Sequence, residues 1–103
     1  MNDRLKALID FYNKDPKDSF VIYGIALEYA ALKNYAKAEE FFNNLLTHDP
    51  DYVAGYMQYA QLKININEIN KAKELYKKGI HVAKKVGDNR SSKEMEEFLD
   101  ELE

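Results

Sequence analysis

The sequence predicts an all-α chain, a solenoid of about six helices in antiparallel pairs, and three observations predict it. Large apolar residues recur at helical spacing in six segments. The pattern repeats at an interval of 34 residues, marked by Asp15-Pro16 and Asp49-Pro50. Gly and Pro are scarce, four and two among 103 residues, too few to punctuate many short strands.

The interval matches residues by size. It relates Ala26 to Ala60, Lys37 to Lys71, Ala38 to Ala72 and Glu40 to Glu74. It also relates Ile22 to Tyr56, Leu32 to Ile66, Tyr35 to Ile69, Phe42 to Tyr76 and Leu46 to Ile80. Small residues meet small ones and large apolar residues meet large ones, so the register is set by packing.

The first segment, Asp3 to about Asn13, carries Leu5, Leu8, Ile9 and Tyr12 and ends at the first Asp-Pro pair. It reads as the second helix of a unit whose first helix is missing. Ser19 to about Lys33 aligns Ile22, Ile25, Ala26, Tyr29 and Leu32, with Ser19 as the expected cap. Asn34 is the expected left-handed turn residue, because Asn tolerates positive φ. Tyr35 to about His48 follows, with Ala38, Phe41, Phe42 and Leu45 inward. Val53 to about Asn65 and Ile69 to about Lys85 repeat the pair, with Asn67 in their turn. The two prolines forbid continuation of the helices before them. Gly87-Asp88-Asn89-Arg90 breaks the chain, and a last helix is expected from about Ser92, with Ser91 and Glu94 as a capping box. Its stripe of Met95, Phe98, Leu99 and Leu102 is expected to cover the helix before it.

Composition narrows the function. An apolar fraction of 46% with 32% charged residues suits a packed chain rather than a disordered one. A net charge of −3 gives no general attraction to nucleic-acid phosphate or anionic lipid. There is no cysteine, which excludes disulfides and thiolate metal sites. The N-terminus is mixed in charge and amphipathic, unlike a signal peptide, and no apolar run approaches the ~20 residues that span a bilayer. A cytoplasmic location is expected.

From Ser19 to Val86 the chain resembles two tandem tetratricopeptide repeats, and the flanking half-units extend the likeness over almost all of it. Ala26, Tyr29, Tyr35, Ala38, Phe42 and Pro50 fall on positions the family favours, as do Ala60, Ala72 and Tyr76. Lys63 replaces a usual aromatic, Lys84 stands where proline is common, and Lys33 and Asn67 replace the usual turn glycine. The resemblance implies one right-handed superhelical domain over residues 1–103. Within it lie a half-repeat (1–18), repeats at 19–52 and 53–86, and a capping helix (87–103).

The resemblance further implies a module that binds a peptide or protein segment in a concave groove lined by the first helix of each unit. Its partner-binding positions would be Phe20, Tyr23, Leu27 and Ala31, then Met57, Gln61 and Asn65, with Ala54 beside them. Phe20, Tyr23, Leu27 and Met57 lie off the interhelical stripe, and large apolar residues on an open face mark interaction surfaces. Some chaperone-docking members clamp a terminal carboxylate with Lys, Asn and Arg. Here Tyr23, Leu27 and Gln58 stand at such positions and supply no charged donor. The rival reading is a self-associating scaffold unit, a homodimer whose exposed aromatics bury one another.

Residues 63–90 carry eight Lys or Arg against three acids, and residues 91–103 carry six acids against Lys93. On a helical wheel Lys73, Lys77 and Lys84 flank one side of the apolar stripe and Lys71, Lys78 and Lys85 the other, a solvated rim rather than a nucleic-acid site. His48 and His81 lie in different units with no Ser, Cys or carboxylate at a matching spacing. No catalytic centre, metal site or cofactor is expected, and His48 is expected to serve a helix C-terminus.

Overall fold

The computed structural model describes residues 2–103 as six helices in two compact units, Met1–Asp49 and Pro50–Glu103. The first unit holds α1 (Asp3–Lys14), α2 (Ser19–Ala31) and α3 (Tyr35–His48). The second holds α4 (Val53–Asn65), α5 (Ile69–Val86) and α6 (Asn89–Leu102). Within the first, α2 packs on both α1 and α3; within the second, α5 packs on α4 and α6, and α6 also touches α4.

Caps explain where the helices start. Asn2 accepts from the Leu5 N–H at 2.7 Å. Asp18, not Ser19, caps α2, its carboxylate accepting from Phe20 and Val21 at 3.0 and 3.3 Å. The carboxylate reaches two free N–H groups and its charge suits the positive end of the helix, so Ser19 becomes the first helical residue. Asp88 does the same for α6, accepting from the Ser91 N–H at 3.1 Å. That helix therefore begins three residues before the expected Ser92, and the Ser91–Glu94 capping box does not form. Glu94 instead faces Arg90 at 3.3 Å.

The ends of α2, α4 and α5 share one hydrogen-bond pattern. Asn34 donates to Tyr29, Glu68 to Lys63 and Asp88 to Ala83, each across five residues at 2.8–2.9 Å. The pattern requires a left-handed residue just before the donor. Lys33 (φ 61°), Asn67 (φ 62°) and Gly87 (φ 82°) take it. The expected assignment to Asn34 is corrected: that residue has φ −87° and caps α3, accepting from the Lys37 N–H at 3.3 Å. Helix α2 accordingly stops at Ala31, and Leu32 leaves its expected inward stripe to stand 50% exposed.

In the first unit Leu5, Val21 and Ile25 form a core flanked by Leu8, Ile9, Tyr12, Tyr29 and Phe41. The Phe41 ring meets Tyr12 edge-on and stacks on Tyr29, at centroid distances of 5.5 and 5.9 Å. Ala26, Ala38, Phe42 and Leu45 are completely buried.

The second unit repeats this with Ala60, Ala72 and Tyr76 completely buried. The expected cover over α5 is present. Met95 is fully buried and Phe98 stacks on Tyr76 at 5.7 Å, while Leu99 and Leu102 are half-buried. Gly79 makes room for this, because a Cβ there would lie 2.6 Å from Met95 Sδ and 2.8 Å from Tyr56 Cβ. Lys84 meets Glu96 at 3.5 Å and Lys85 meets Asp51 at 2.7 Å, so the basic helix is partly neutralised from both neighbours.

Lys63, in place of the family's aromatic, is buried with its ammonium 5.5 Å from the centre of the Tyr59 ring and 3.2 Å from Glu68 Oε1. The alkyl stem fills apolar space while the carboxylate compensates the charge. Hydrogen bonds from Lys71 and then Lys63 hold the Glu68 carboxyl below the ordinary glutamate range.

Two substitutions in α5 should move stability in opposite directions. Gly79→Ala gains about 1 kcal/mol of helix propensity, but Tyr56 Cβ is fixed to its own helix and cannot yield, so a net cost of about 1–3 kcal/mol is expected. Tyr76 has a buried hydroxyl with no hydrogen-bond partner among the described residues, and burial raises its pKa, followed by Glu101. Tyr76→Phe, the residue found at the equivalent position 42, should stabilise by about 1 kcal/mol. Thermal or denaturant melts of both variants check the signs.

The Glu68 cluster predicts a pH dependence. A carboxyl lowered in the folded state contributes stability that is complete above its unfolded value and is lost as pH falls through its folded value. The melting temperature of the wild type should exceed that of Glu68→Gln at neutral pH, and the gap should close through the acid range. A gap that does not change with pH would contradict the assignment.

Candidate protein-binding face

In each first helix the residues singled out above share one side, partly exposed and partly half-buried. On α2, Phe20 is 72% exposed, Ala31 is exposed, and Tyr23 and Leu27 are half-buried. They follow one another at intervals of three and four, so they form a continuous strip along one side of the helix. Beside the strip Gly24 faces Leu8 of α1, whose Cδ2 would lie 3.3 Å from a glycine Cβ. Arg4 of α1 pairs with Glu28 of α2 at 2.7 Å, and Asn2 donates to the same carboxylate at 3.4 Å.

On α4 the strip falls at the same register, 34 residues on. Ala54, Gln61 and Asn65 are exposed, and Met57 and Gln58 are half-buried. The Gln61 side chain donates to Asn65 Oδ1 at 3.3 Å, which aligns the two amides along the helix. The α2 strip is apolar and aromatic, whereas the α4 strip is small and amide-bearing. Each set shares one side of its own helix, in its own unit.

Phe11 of α1 was not singled out in the sequence, although it is 58% exposed. The signal was available: its 34- and 68-residue counterparts, Leu45 and Gly79, are buried, so an exposed ring there departs from the repeat. A depression of about 370 Å³ in the same unit, lined by Leu5, Tyr29, Leu32, Asn34 and Lys37, includes none of the strip residues.

The histidines lie apart from the strips. His48, in the last turn of α3, meets the Asn44 carbonyl through Nδ1 at 2.9 Å, and His81 is exposed on α5. Among the described residues no three His, Cys, Asp or Glu side chains are grouped to hold a metal ion. No helix among them is long and apolar enough to cross a membrane.

Solved structures that share the fold include three from Salinibacter ruber, yeast and Bordetella parapertussis. A tetratricopeptide repeat domain protein from Salinibacter ruber is 30% identical, with 86% of this chain and 90% of that one covered at a TM-score of 0.82. The TPR2B domain of yeast Sti1, in a complex with pHsp70, superposes with a TM-score of 0.88 at 21% identity, covering 95% of this chain and 78% of that one. Protein BPP2914 from Bordetella parapertussis gives 0.85 at 19% identity, covering 99% and 89%. No curated protein matches the chain. The family model for the tetratricopeptide repeat matches residues 29–87, more than half of the sequence. With six helices in antiparallel pairs and a 34-residue register in its core, the chain belongs to the tetratricopeptide repeat family, whose members are typically non-catalytic and generally bind proteins.

Proposed function

We propose that this protein is an interaction module that binds a peptide or protein segment, with Phe20, Tyr23, Leu27 and Ala31 as its candidate contacts in the first unit and Met57, Gln61 and Asn65 in the second. The observation that carries the reading is the recurrence of one register in both first helices that mixes exposed and half-buried residues, with Phe20 at 72% exposure within it. Neither hydrophobic packing nor helix propensity requires a phenylalanine there. A large ring on a helix face supplies apolar contact area at little entropic cost, the property of a binding anchor.

The two strips differ chemically. Phe20, Tyr23 and Leu27 offer apolar burial, and the aligned amides of Gln61 and Asn65 offer hydrogen bonds to a partner's backbone. The TPR2B domain of Sti1 is similar in fold and is complexed with pHsp70. This chain has Tyr23, Leu27 and Gln58 where a carboxylate clamp needs Lys and Asn, so its partner would be held by apolar side chains and backbone rather than by a terminal carboxylate.

Selection from a random peptide display library, followed by anisotropy titration of the selected peptides, tests this. Phe20→Ala with Met57→Ala should weaken binding about 30-fold or more, as for anchors worth about 2 kcal/mol. The helical signal and melting temperature should stay close to wild type. Amidating the peptide's C-terminus should change little. Peptides that bind the variant undiminished would contradict the proposal, and unfolding of the variant would show these side chains to be core.

A further inference from the structure

The repeat register exposes an unfilled place on α1. At offsets of 34 and 68 residues, Arg4, Leu8 and Phe11 occupy the positions of Ala38, Phe42 and Leu45 in α3 and of Ala72, Tyr76 and Gly79 in α5. All six counterparts are buried; the first helix of the same unit packs on each of these helices, α2 on α3 and α4 on α5, and in α5 Met95 and Phe98 of α6 add cover over Gly79 and Tyr76. Helix α1 has no such cover among the described residues. Leu8 is half-buried and Phe11 is 58% exposed.

A whole first helix is poorly matched to this face. The close crossing in the full units uses Ala38 and Ala72, and α1 has Arg4 there, drawn to Glu28 at 2.7 Å. The opening is instead shaped by Ala7, which stands where α3 has Phe41 and α5 has Leu75. A small exposed residue one turn from an exposed ring is self-complementary: in an antiparallel pair of α1 helices, Phe11 of each copy would seat over Ala7 of the other.

The charges agree. Along its exposed side α1 reads Asp3, Lys6, Asp10, Lys14, alternating in sign. All four are exposed, and among the described residues none makes an ion pair or a side-chain hydrogen bond within the chain. Reversing the order of an alternating row reverses every sign. An antiparallel copy therefore sets Asp3 opposite Lys14 and Lys6 opposite Asp10, each twice, whereas a parallel in-register copy sets like against like. Asp3 and Lys14 share about a quarter of the helix circumference with Ala7 and Phe11, while Asp10 and Lys6 lie on the flank beyond Asp3, so the outer charge pair sits on the contact line and the inner pair borders it.

We propose that the exposed side of α1 is a homodimer interface, with a second copy packed antiparallel across Ala7 and Phe11. The contact belongs to the small, weak class of interfaces and forms at micromolar concentrations or above. It does not rest on the strips of α2 and α4.

Sedimentation equilibrium of the full chain, from about 5 to about 500 µM, reads this directly. The weight-average mass should climb from 12.0 kDa toward twice that value. Phe11→Asp should hold it at the monomer value with an unchanged helical signal. Lys6→Asp and Asp10→Lys should each weaken association about tenfold, because each sets like charges together twice. The double reversal Lys6→Asp/Asp10→Lys should restore association to near wild type, which a merely structural effect of either residue would not do. A monomer at every concentration overturns the proposal. So does association indifferent to Phe11→Asp, or a double reversal that fails to rescue.

Discussion

Two close crossings, one marked by Ala26 and Ala38 and the other by Ala60 and Ala72, set the spacing on which the rest of the structure depends. All four side chains are completely buried on helices that pack in pairs, α2 on α3 and α4 on α5. One turn along from Ala38 and Ala72, Phe42 and Tyr76 fill the interior with aromatic rings and without exposure. The unit that follows from this is 34 residues long, and each first helix must turn the same side to its second helix. The side left over is then determined as well, which is why Phe20 and Ala54, Leu27 and Gln61, and Ala31 and Asn65 correspond as pairs. Core and candidate site are two readings of one register.

The sequence revealed the elements that this register governs. Helix α3 runs from Tyr35 to His48 and α4 from Val53 to Asn65 as expected, because apolar spacing and the Asp-Pro stops bound them tightly. It misled where two residues competed for one local role. Ser19 and Ser91 are good caps, but Asp18 and Asp88 stand earlier and carry charge, so the helices start one and three residues from where a serine cap would begin them. Lys33 accepts a left-handed conformation that Asn34 would have taken more cheaply, because only position 33 lets the next N–H reach Tyr29. The geometry of the turn outranked the preference of the residue.

The face was legible to the same degree. The strip positions follow from helix geometry once the inner stripe is known; Phe20, Ala31, Gln61 and Asn65 stand exposed, whereas Tyr23, Leu27 and Met57 are half-buried, a difference that spacing alone does not give. Phe11 does not stand out within α1 itself, where Leu5, Leu8, Ile9 and Tyr12 already make a sufficient stripe. Its meaning appears only beside Leu45 and Gly79. Lys63 shows the opposite difficulty. A charged residue at an aromatic position reads as a defect, yet Glu68 lies five residues on, near enough to pair once the chain turns at Asn67. That contact depends on the left-handed turn and could not be inferred from spacing alone.

The central claim is that one register separates buried contacts from an open side, and three substitutions of the same chemistry test it most directly. Ala38→Leu and Ala72→Leu should each overpack a close crossing and lower the unfolding free energy by about 1–3 kcal/mol. Ala54→Leu, on the exposed strip of α4, should change it by no more than about 0.5 kcal/mol. Denaturant melts of the three variants beside the wild type give the answer. A destabilised Ala54→Leu, or silent changes at Ala38 and Ala72, would contradict the register and with it both the core and the binding face derived from it.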